Sequence, residues 1–241
     1  MTTPRKIEEL EEDEDSLESM LASPIEEKIL KRAIQTRFPS PTLPSQLSKS
    51  EKIAHIAEKF RGIMEILGLD LSDESLQRTP YRVAKMYVEE IFSGLDETTF
   101  PRISFMEDRF QHRNRSNMVF VKVNFCSFCE HHFVPMNGSA YVAYIPNGKL
   151  LGLSKIPRLV HFFARRPQIQ ERLTAQIADS LSILTNSEHI AVSIFAQHHC
   201  ISARGIECEN SHAITNVFLG DFDTQLSQRQ EFFDALNRRS D

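Results

Sequence analysis

The segment CSFCEHHFVP, residues 126–135, sets Cys126, Cys129, Glu130, His131 and His132 close together, and AQHHC, residues 196–200, runs His198 and His199 into Cys200. Zinc prefers thiolate sulfur and imidazole nitrogen. Structural sites close with four protein ligands, whereas catalytic sites use three and leave one position open. Cys129 and His132 stand three apart, so one short turn can present both to a single ion, and Cys200 arrives from a distant segment. Together they make an open Cys2His set. Neighbouring side chains do not easily reach one ion together, so one of His131 and His132 is expected to bind and the other to face a substrate, poised near neutral pH for proton transfer. On an extended backbone His198 shares Cys200's side and enters the same pocket, while His199 points away.

Other readings compete. Cys126 and Cys129 form a C-x-x-C, the mark of a zinc knuckle or a redox pair, but Cys200 and Cys208 supply no matching second pair. With VKVNFCSF continuing as a strand, Cys126 falls on the face opposite Phe125 and reads as a partly buried small apolar residue. His55, His112, His161, His189 and His212 have no cysteine company and default to surface or satisfied core. A zinc that only staples the fold wants a fourth ligand, and none is obvious.

Cations and one acid flank this cluster. LSKIPR places Ser154, Lys155 and Arg158 on what reads as the first turn of a helix, where backbone N–H groups and the helix dipole suit a phosphate. Arg204 lies four residues beyond Cys200, and RVAK puts Arg82 and Lys85 on one helical face. Each alone is ordinary surface charge. Glu171, in QIQERLTAQI, is either a solvated helix acid pairing with Arg172 or Arg166, or a carboxylate that accepts from an N–H/NH2 edge such as guanine presents; spacing does not separate the two.

These groups need elements to hold them. SEKIAHIAEKFRGIMEIL spaces Ile53, Ile56, Ala57, Phe60, Ile63, Met64 and Leu67 by threes and fours, an amphipathic helix ended by Gly68. TPYRVAKMYVEEIFSG offers Thr79 as N-cap, Pro80 at the first helical position and Gly94 just past the end. MVFVKVNF alternates Val119, Val121, Val123 and Phe125 on one face, hence a strand, and SAYVAYIP and HIAVSIFAQ read likewise. SKIPRLVHFFARR, QIQERLTAQIADSLSILT and SQRQEFFDALNRR read as helices. Strands and helices do not alternate strictly, which favours an α+β fold with a mostly antiparallel sheet. Upstream, the acidic block from Glu8 to Glu18 reads as a solvated or disordered tail, residues 24–38 as a short helix and PSPTLPS (39–45) as a linker.

Composition narrows the partners. A net charge of −5 gives no global basic field for nucleic acid or anionic membrane, so an anionic ligand must meet a local cluster of Arg and Lys. No apolar run approaches the roughly 20 residues that span a bilayer, and MTTPRKIEELEEDEDS lacks the apolar core of a secretory signal. Four cysteines in 241 residues are too few for a disulfide scaffold. The expectation is a cytoplasmic protein with reduced thiols and neither nucleic-acid nor membrane partner.

Taken together, RTPYRVAKMYVEEIFSGLD, CEHHFVPMNGSAYVAYIP, GLSKIPR, RRPQIQERLTAQIA and HHCISARGI closely resemble the GTP cyclohydrolase I family, in its order and at its spacing, from about residue 50 to the C-terminus. The resemblance implies that GTP and water give 7,8-dihydroneopterin triphosphate and formate, opening tetrahydrofolate or pterin synthesis. It implies the tunnelling fold (T-fold), with an antiparallel sheet and flanking helices preceded by N-terminal helices. The expected division is a variable extension over 1–45, a helical region over 46–115 and the catalytic T-fold domain over 116–241. It further implies a homodecamer of two pentamers with active sites between subunits.

Carried onto this chain, the family's Zn2+ ligands are Cys129, His132 and Cys200. His131 resembles the histidine that handles the proton at the imidazole ring as water attacks C8, and His198 the one used in ring opening and deformylation. Ser154 matches the serine implicated around the ribose and the later rearrangement. Glu171 matches the carboxylate that reads the guanine edge, with Gln170 beside it a further candidate. Lys155, Arg158 and Arg204 match the triphosphate clamp, which Arg82 and Lys85 reach from an adjacent subunit. Cys126 and His199 depart from the residue types usual at their positions, and the family's Thr-rich loop after RGI is here NSHAITNVFLG, with Ala213 at a usual Thr.

Three alternatives fit less well. A zinc nucleobase deaminase needs H-x-E and a later P-C-x-x-C, but Glu130 lies between Cys and His and no P-C-x-x-C exists. A nitrile reductase of the same fold would use a nucleophilic cysteine and a nicotinamide cofactor, against which the three-ligand zinc set argues. A non-catalytic zinc-stabilised assembly would be favoured by loss of His131, His198 or Glu171, and all three are present.

Overall fold

The computed structural model describes residues 24–108 and 118–238, so the acidic block and His112 lie outside the described residues. Helix α1 (Pro24–Gln35) is shorter than the expected 24–38 and buries Ala33 in the main core. Helix α2 (Lys49–Ile66) opens on a capping box, in which Ser48 accepts from the Glu51 N–H and Glu51 accepts from the Ser48 N–H. It closes before Gly68, whose φ of +76° suits glycine. Helix α3 (Thr79–Lys85) has Thr79 and Pro80 as its first two residues, with Arg78 rather than Thr79 as the flanking cap. A π-helical turn, Met86–Ile91, continues it.

Gly94 does not simply terminate that helix. It is buried in a short 3-10 turn, Ser93–Leu95, and donates its N–H to the Arg165 carbonyl at 2.9 Å. A Cβ there would sit 2.1 Å from the Phe162 carbonyl oxygen and 2.9 Å from that of Arg165, so glycine is required for close approach.

A small antiparallel pair joins β1 (Phe105–Glu107) to β4 (Lys149–Leu151). The main sheet has β2 (Val119–Cys129), β3 (Pro135–Tyr144), β5 (Pro167–Gln168), β6 (Ile190–His198) and β7 (His212–Leu219) in the order β5-β2-β3-β6-β7. All its pairings are antiparallel except the short β5–β2 contact. Two hairpins, β2–β3 and β6–β7, bracket α4 (Lys155–Ala164) and α5 (Gln170–Thr185), which is the α+β T-fold arrangement expected.

Alternation along β2 turns Val123 and Phe125 onto the helix-covered face and leaves Lys122, Asn124 and Cys126 exposed on the other. Leu159, Phe163, Leu173, Ile177 and Leu181 from the two helices bury against Ala140, Val142, Val192 and Ile194. Each fully buried Leu or Ile of this kind contributes about 1.5–3 kcal/mol. Turn α7 (Asp221–Thr224) and helix α8 (Leu226–Asn237) cover part of the opposite face through Phe222 and Phe232.

Two further expectations need correction. NSHAITNVFLG, read as a loop, forms β7. Its inward positions are Ala213, Thr215 and Val217 while Ile214 faces out, so the hydrophobic alternation that marks a half-buried strand is weak. The extended backbone assumed through Cys200 ends at His198, and Cys200 sits in a helical turn, α6 (His199–Ser202).

Candidate functional site

Strands β2 and β6 both run antiparallel to β3, so both end at the same edge of the sheet. Cys129 is the last residue of β2, and Cys200 follows the end of β6. The loop after Cys129 is closed by two backbone bonds, Phe133 N–H to the Cys129 carbonyl at 2.8 Å and Cys129 N–H to the Val134 carbonyl at 2.9 Å. Phe133 adopts a left-handed φ of +53°, an unfavourable conformation for a bulky residue. Its ring packs on Phe92 at 5.1 Å and on Tyr87 at 6.3 Å, and Phe92 packs on Phe128 at 5.8 Å. That aromatic cluster holds the loop in place.

Ligand atoms of Cys129, His132 and Cys200 lie within 4.8 Å of one another, with Cys129 Sγ and His132 Nδ1 3.9 Å apart. Tetrahedral zinc, with Zn–S near 2.3 Å and Zn–N near 2.0 Å, separates neighbouring ligand atoms by about 3.5–3.8 Å, so a slight closure accommodates the ion. Burial, then the neighbouring Cys129 thiol, holds the Cys200 thiol above its ordinary range, with Arg204 opposing. The proton of a thiol held in this way is what a divalent cation displaces. The donor set fits zinc.

His131 stays outside that three-residue cluster, although its Nδ1 also comes to 3.9 Å from Cys129 Sγ. Its side chain is exposed, with Nε2 3.8 Å from Glu130 Oε1. Cys126 is exposed rather than partly buried, on the face of β2 opposite Cys129. An odd spacing along a strand separates the two cysteines of the C-x-x-C across the sheet. His199 turns to Asn137, at 3.1 Å, and His212 stacks on Phe195 at 4.6 Å. His189 accepts from the Asp221 N–H.

The short β5–β2 pairing sets Gln168 beside Cys129, and the next residues open α5, so Gln170, Glu171 and Arg172 arrive at the same sheet edge. Gln170 is buried, with Oε1 2.7 Å from His198 Nε2. Glu171 is exposed and makes no ion pair among the described residues. Both cations considered as its partners are engaged elsewhere. Arg172 donates to both oxygens of Glu130, at 2.6 and 3.3 Å. Arg166 is buried against the rings of Phe162 and Phe163, at 4.4 and 5.1 Å, and burial pulls its guanidinium down to about 10. Burial likewise depresses the His198 imidazole, and the Glu171 charge opposes it.

The Glu130–Arg172 pair escaped the sequence reading. An acid between two candidate metal-site residues was its only signal, because Arg172 is helical and forty-two positions away.

The anion-suited groups lie elsewhere in the chain. Ser154 and Lys155 start α4, and Leu151, just before them, donates its N–H to Tyr144 Oη. Tyr144 pairs with Val119, the start of β2, at the far end of the sheet from Cys129. The other end of α4 is fixed near the Cys–His cluster, where Ser127 Oγ donates to the Ala164 carbonyl at 2.7 Å. Nine helical steps of 1.5 Å separate the two ends by about 14 Å. No hydrogen bond or ion pair joins Ser154, Lys155 or Arg158 to the Cys–His cluster among the described residues. Lys155 is largely buried and Arg158 is exposed. Arg204 lies near Cys200, Arg82 is exposed on α3, and Lys85 pairs with Glu89 at 3.6 Å.

A family model described as GTP cyclohydrolase I matches residues 56–237. The "GTP cyclohydrolase 1" of Aeromonas hydrophila subsp. hydrophila is 48% identical over 200 residues, spanning 83% of this chain and 90% of the relative. That of Haemophilus ducreyi is 42% identical over 224 residues, 92% of this chain and 100% of the relative. A solved structure of the archaeosine synthase QueF-Like in the apo form is similar at a TM-score of 0.35 and 17% identity, over 43% of this chain and 94% of that one. On the family match and the two sequence relatives, the chain belongs to the GTP cyclohydrolase I family and is an enzyme of that type.

Proposed function

We propose that the chain converts GTP and water to 7,8-dihydroneopterin triphosphate and formate, opening tetrahydrofolate and pterin synthesis, with Zn2+ held by Cys129, His132 and Cys200. The observation that carries this reading is a cluster of three residues able to hold a metal, bordered by two more histidines and the exposed carboxylate of Glu171. Bound there, zinc supplies the Lewis acidity that makes hydroxide accessible near neutral pH. Glu171 accepts hydrogen bonds from the guanine N–H and NH2 edge and sets the ring's orientation. His131 donates at the purine imidazole ring, since C8 is a poor electrophile until N7 is protonated or hydrogen-bonded. His198 moves the later protons of ring opening and deformylation.

The triphosphate is assigned to Ser154, Lys155 and Arg158 at the α4 N-terminus, where backbone N–H groups and the helix dipole favour an anion, and to Arg204. Ser154 also serves the ribose rearrangement. The length of α4 supports a site shared between subunits, with a neighbouring chain bringing its own α4 start, Arg82 and Lys85 to this metal cluster. A cytoplasmic homodecamer of two pentamers is the proposed assembly. No helix among the described residues is long and apolar enough to cross a membrane.

Incubated with GTP, the purified protein is expected to release formate and, after oxidation, a fluorescent pterin, and chelation is expected to abolish both. Metal-replete protein that binds GTP yet yields neither product would refute the activity. His131→Ala should retain zinc and lose turnover. Loss of zinc instead would mean that the two adjacent histidines have exchanged roles.

A further inference from the structure

Gln170 begins α5 with 2% of its surface exposed, and both polar atoms of its amide are engaged. Nε2 donates to the carbonyl oxygens of Ile194 and Ala213, each at 3.0 Å, and to Thr215 Oγ1 at 3.1 Å. Oε1 lies 2.7 Å from His198 Nε2. Carbonyls only accept, so the amide nitrogen must face Ile194 and Ala213 and the amide oxygen must face His198. The hydroxyls agree with this. Thr174 Oγ1 donates to the Gln170 backbone carbonyl at 2.8 Å, so Thr215 Oγ1, 2.6 Å away, gives its proton to Thr174 and offers a lone pair to Gln170.

An amide oxygen cannot donate, so His198 must present N–H at Nε2. Neutral His198 then carries its lone pair on Nδ1, which has no protein partner among the described residues. The three acceptors around the Gln170 nitrogen come from β6 and β7, so the sheet itself sets which way the amide points.

We propose that Gln170 is a positioning residue that fixes the tautomer and ring plane of His198, making Nδ1 the atom that exchanges protons with substrate, and that its amide does not read the base. This rests on the reading of His198 as a proton-transfer group. An amide whose N–H donors are spent on the sheet, and whose oxygen is turned to His198 in a residue 2% exposed, is not presented to a guanine edge, whereas an acceptor fixed on one imidazole nitrogen determines what the other can do.

The test compares parent, Gln170→Met, His198→Ala and the double variant, each loaded with zinc. Methionine keeps length and volume but removes the acceptor. Gln170→Met is expected to lower kcat about 10- to 100-fold, with the KM for GTP within about twofold and zinc content unchanged. In the His198→Ala background it should cost nothing further, because it acts through that ring. Multiplicative losses with a raised KM would overturn the proposal in favour of base contact. An undiminished kcat in His198→Ala would instead sink the His198 reading, a separately visible result. A readout independent of any variant's folding is the 15N spectrum of histidine-labelled parent protein: His198 protonated at Nε2 supports the proposal, and protonation at Nδ1 overturns it.

Discussion

Arg172 and Glu130 join the first turn of α5 to the residue that follows Cys129 of the candidate metal cluster, and their contribution follows from the geometry. The guanidinium meets both carboxylate oxygens, at 2.6 and 3.3 Å, with side-chain exposures of 16% and 21%. Unit charges 4 Å apart attract by about 4 kcal/mol at an effective dielectric near 20, and part of that is offset by desolvating both groups. A net coupling of about 2–3 kcal/mol is expected, against about 0.2–1 kcal/mol for a solvent-exposed pair. The measurement is a cycle of Glu130→Gln, Arg172→Met and the double variant by denaturant unfolding near neutral pH. Either single change leaves a largely buried partner without its counter-charge, so the double variant should be at least as stable as the worse single. Because the pair also holds the loop between Cys129 and His132, each single variant should bind zinc about 10- to 100-fold more weakly in a competition titration. A coupling energy below about 0.5 kcal/mol together with parental zinc affinity would refute the reasoning, and would mean that the aromatic contacts of Phe133 alone fix the loop.

Two further outcomes follow. Gly94→Ala forces a Cβ to within 2.1 Å of the Phe162 carbonyl oxygen, so α4 and the turn before it must separate; a loss of about 2–4 kcal/mol in unfolding free energy is expected, and a parental melting temperature would contradict it. His161, half-buried in α4, has its imidazole held below the ordinary 6.5 by burial and secondarily by Arg165. The unfolded chain therefore takes up that proton first as pH falls: the contribution is complete above about 6.5 and is lost as pH drops from there through the folded value. Unfolding scans at about pH 7.5 and about pH 5.5 should show His161→Gln declining less than the parent, and equal declines would exclude the effect.

What the sequence disclosed followed the strength of its periodicities. The proximity of Cys129 and His132, the helices α2, α4 and α5, and strands β2, β3 and β6 all announce themselves by spacing or alternation. Strand β7 did not, because it turns Ile214 outward and Ala213 and Thr215 inward. The family resemblance places Gln170 beside Glu171 as a candidate, yet a helix start separates their directions, one into the sheet and one into solvent. Gly94 looked like a helix stop because nothing local reveals that the Phe162 backbone will pass against it. In each case the deciding contact is long-range, and neither propensity nor spacing encodes it.

Helix α4 acts as a ruler. One end is tied to Ser127 near the Cys–His cluster and the other is reached through Leu151 and Tyr144, so the separation of about 14 Å is built into regular backbone and no side-chain rotation closes it. On the proposed assignment, an isolated chain holds its two half-sites apart and a neighbour would complete each, so catalysis would depend on concentration as much as on sequence. Dilution below the dissociation constant of the assembly would act as an inhibitor, and anything that loosens the contact between neighbours would switch the enzyme off without touching a catalytic group.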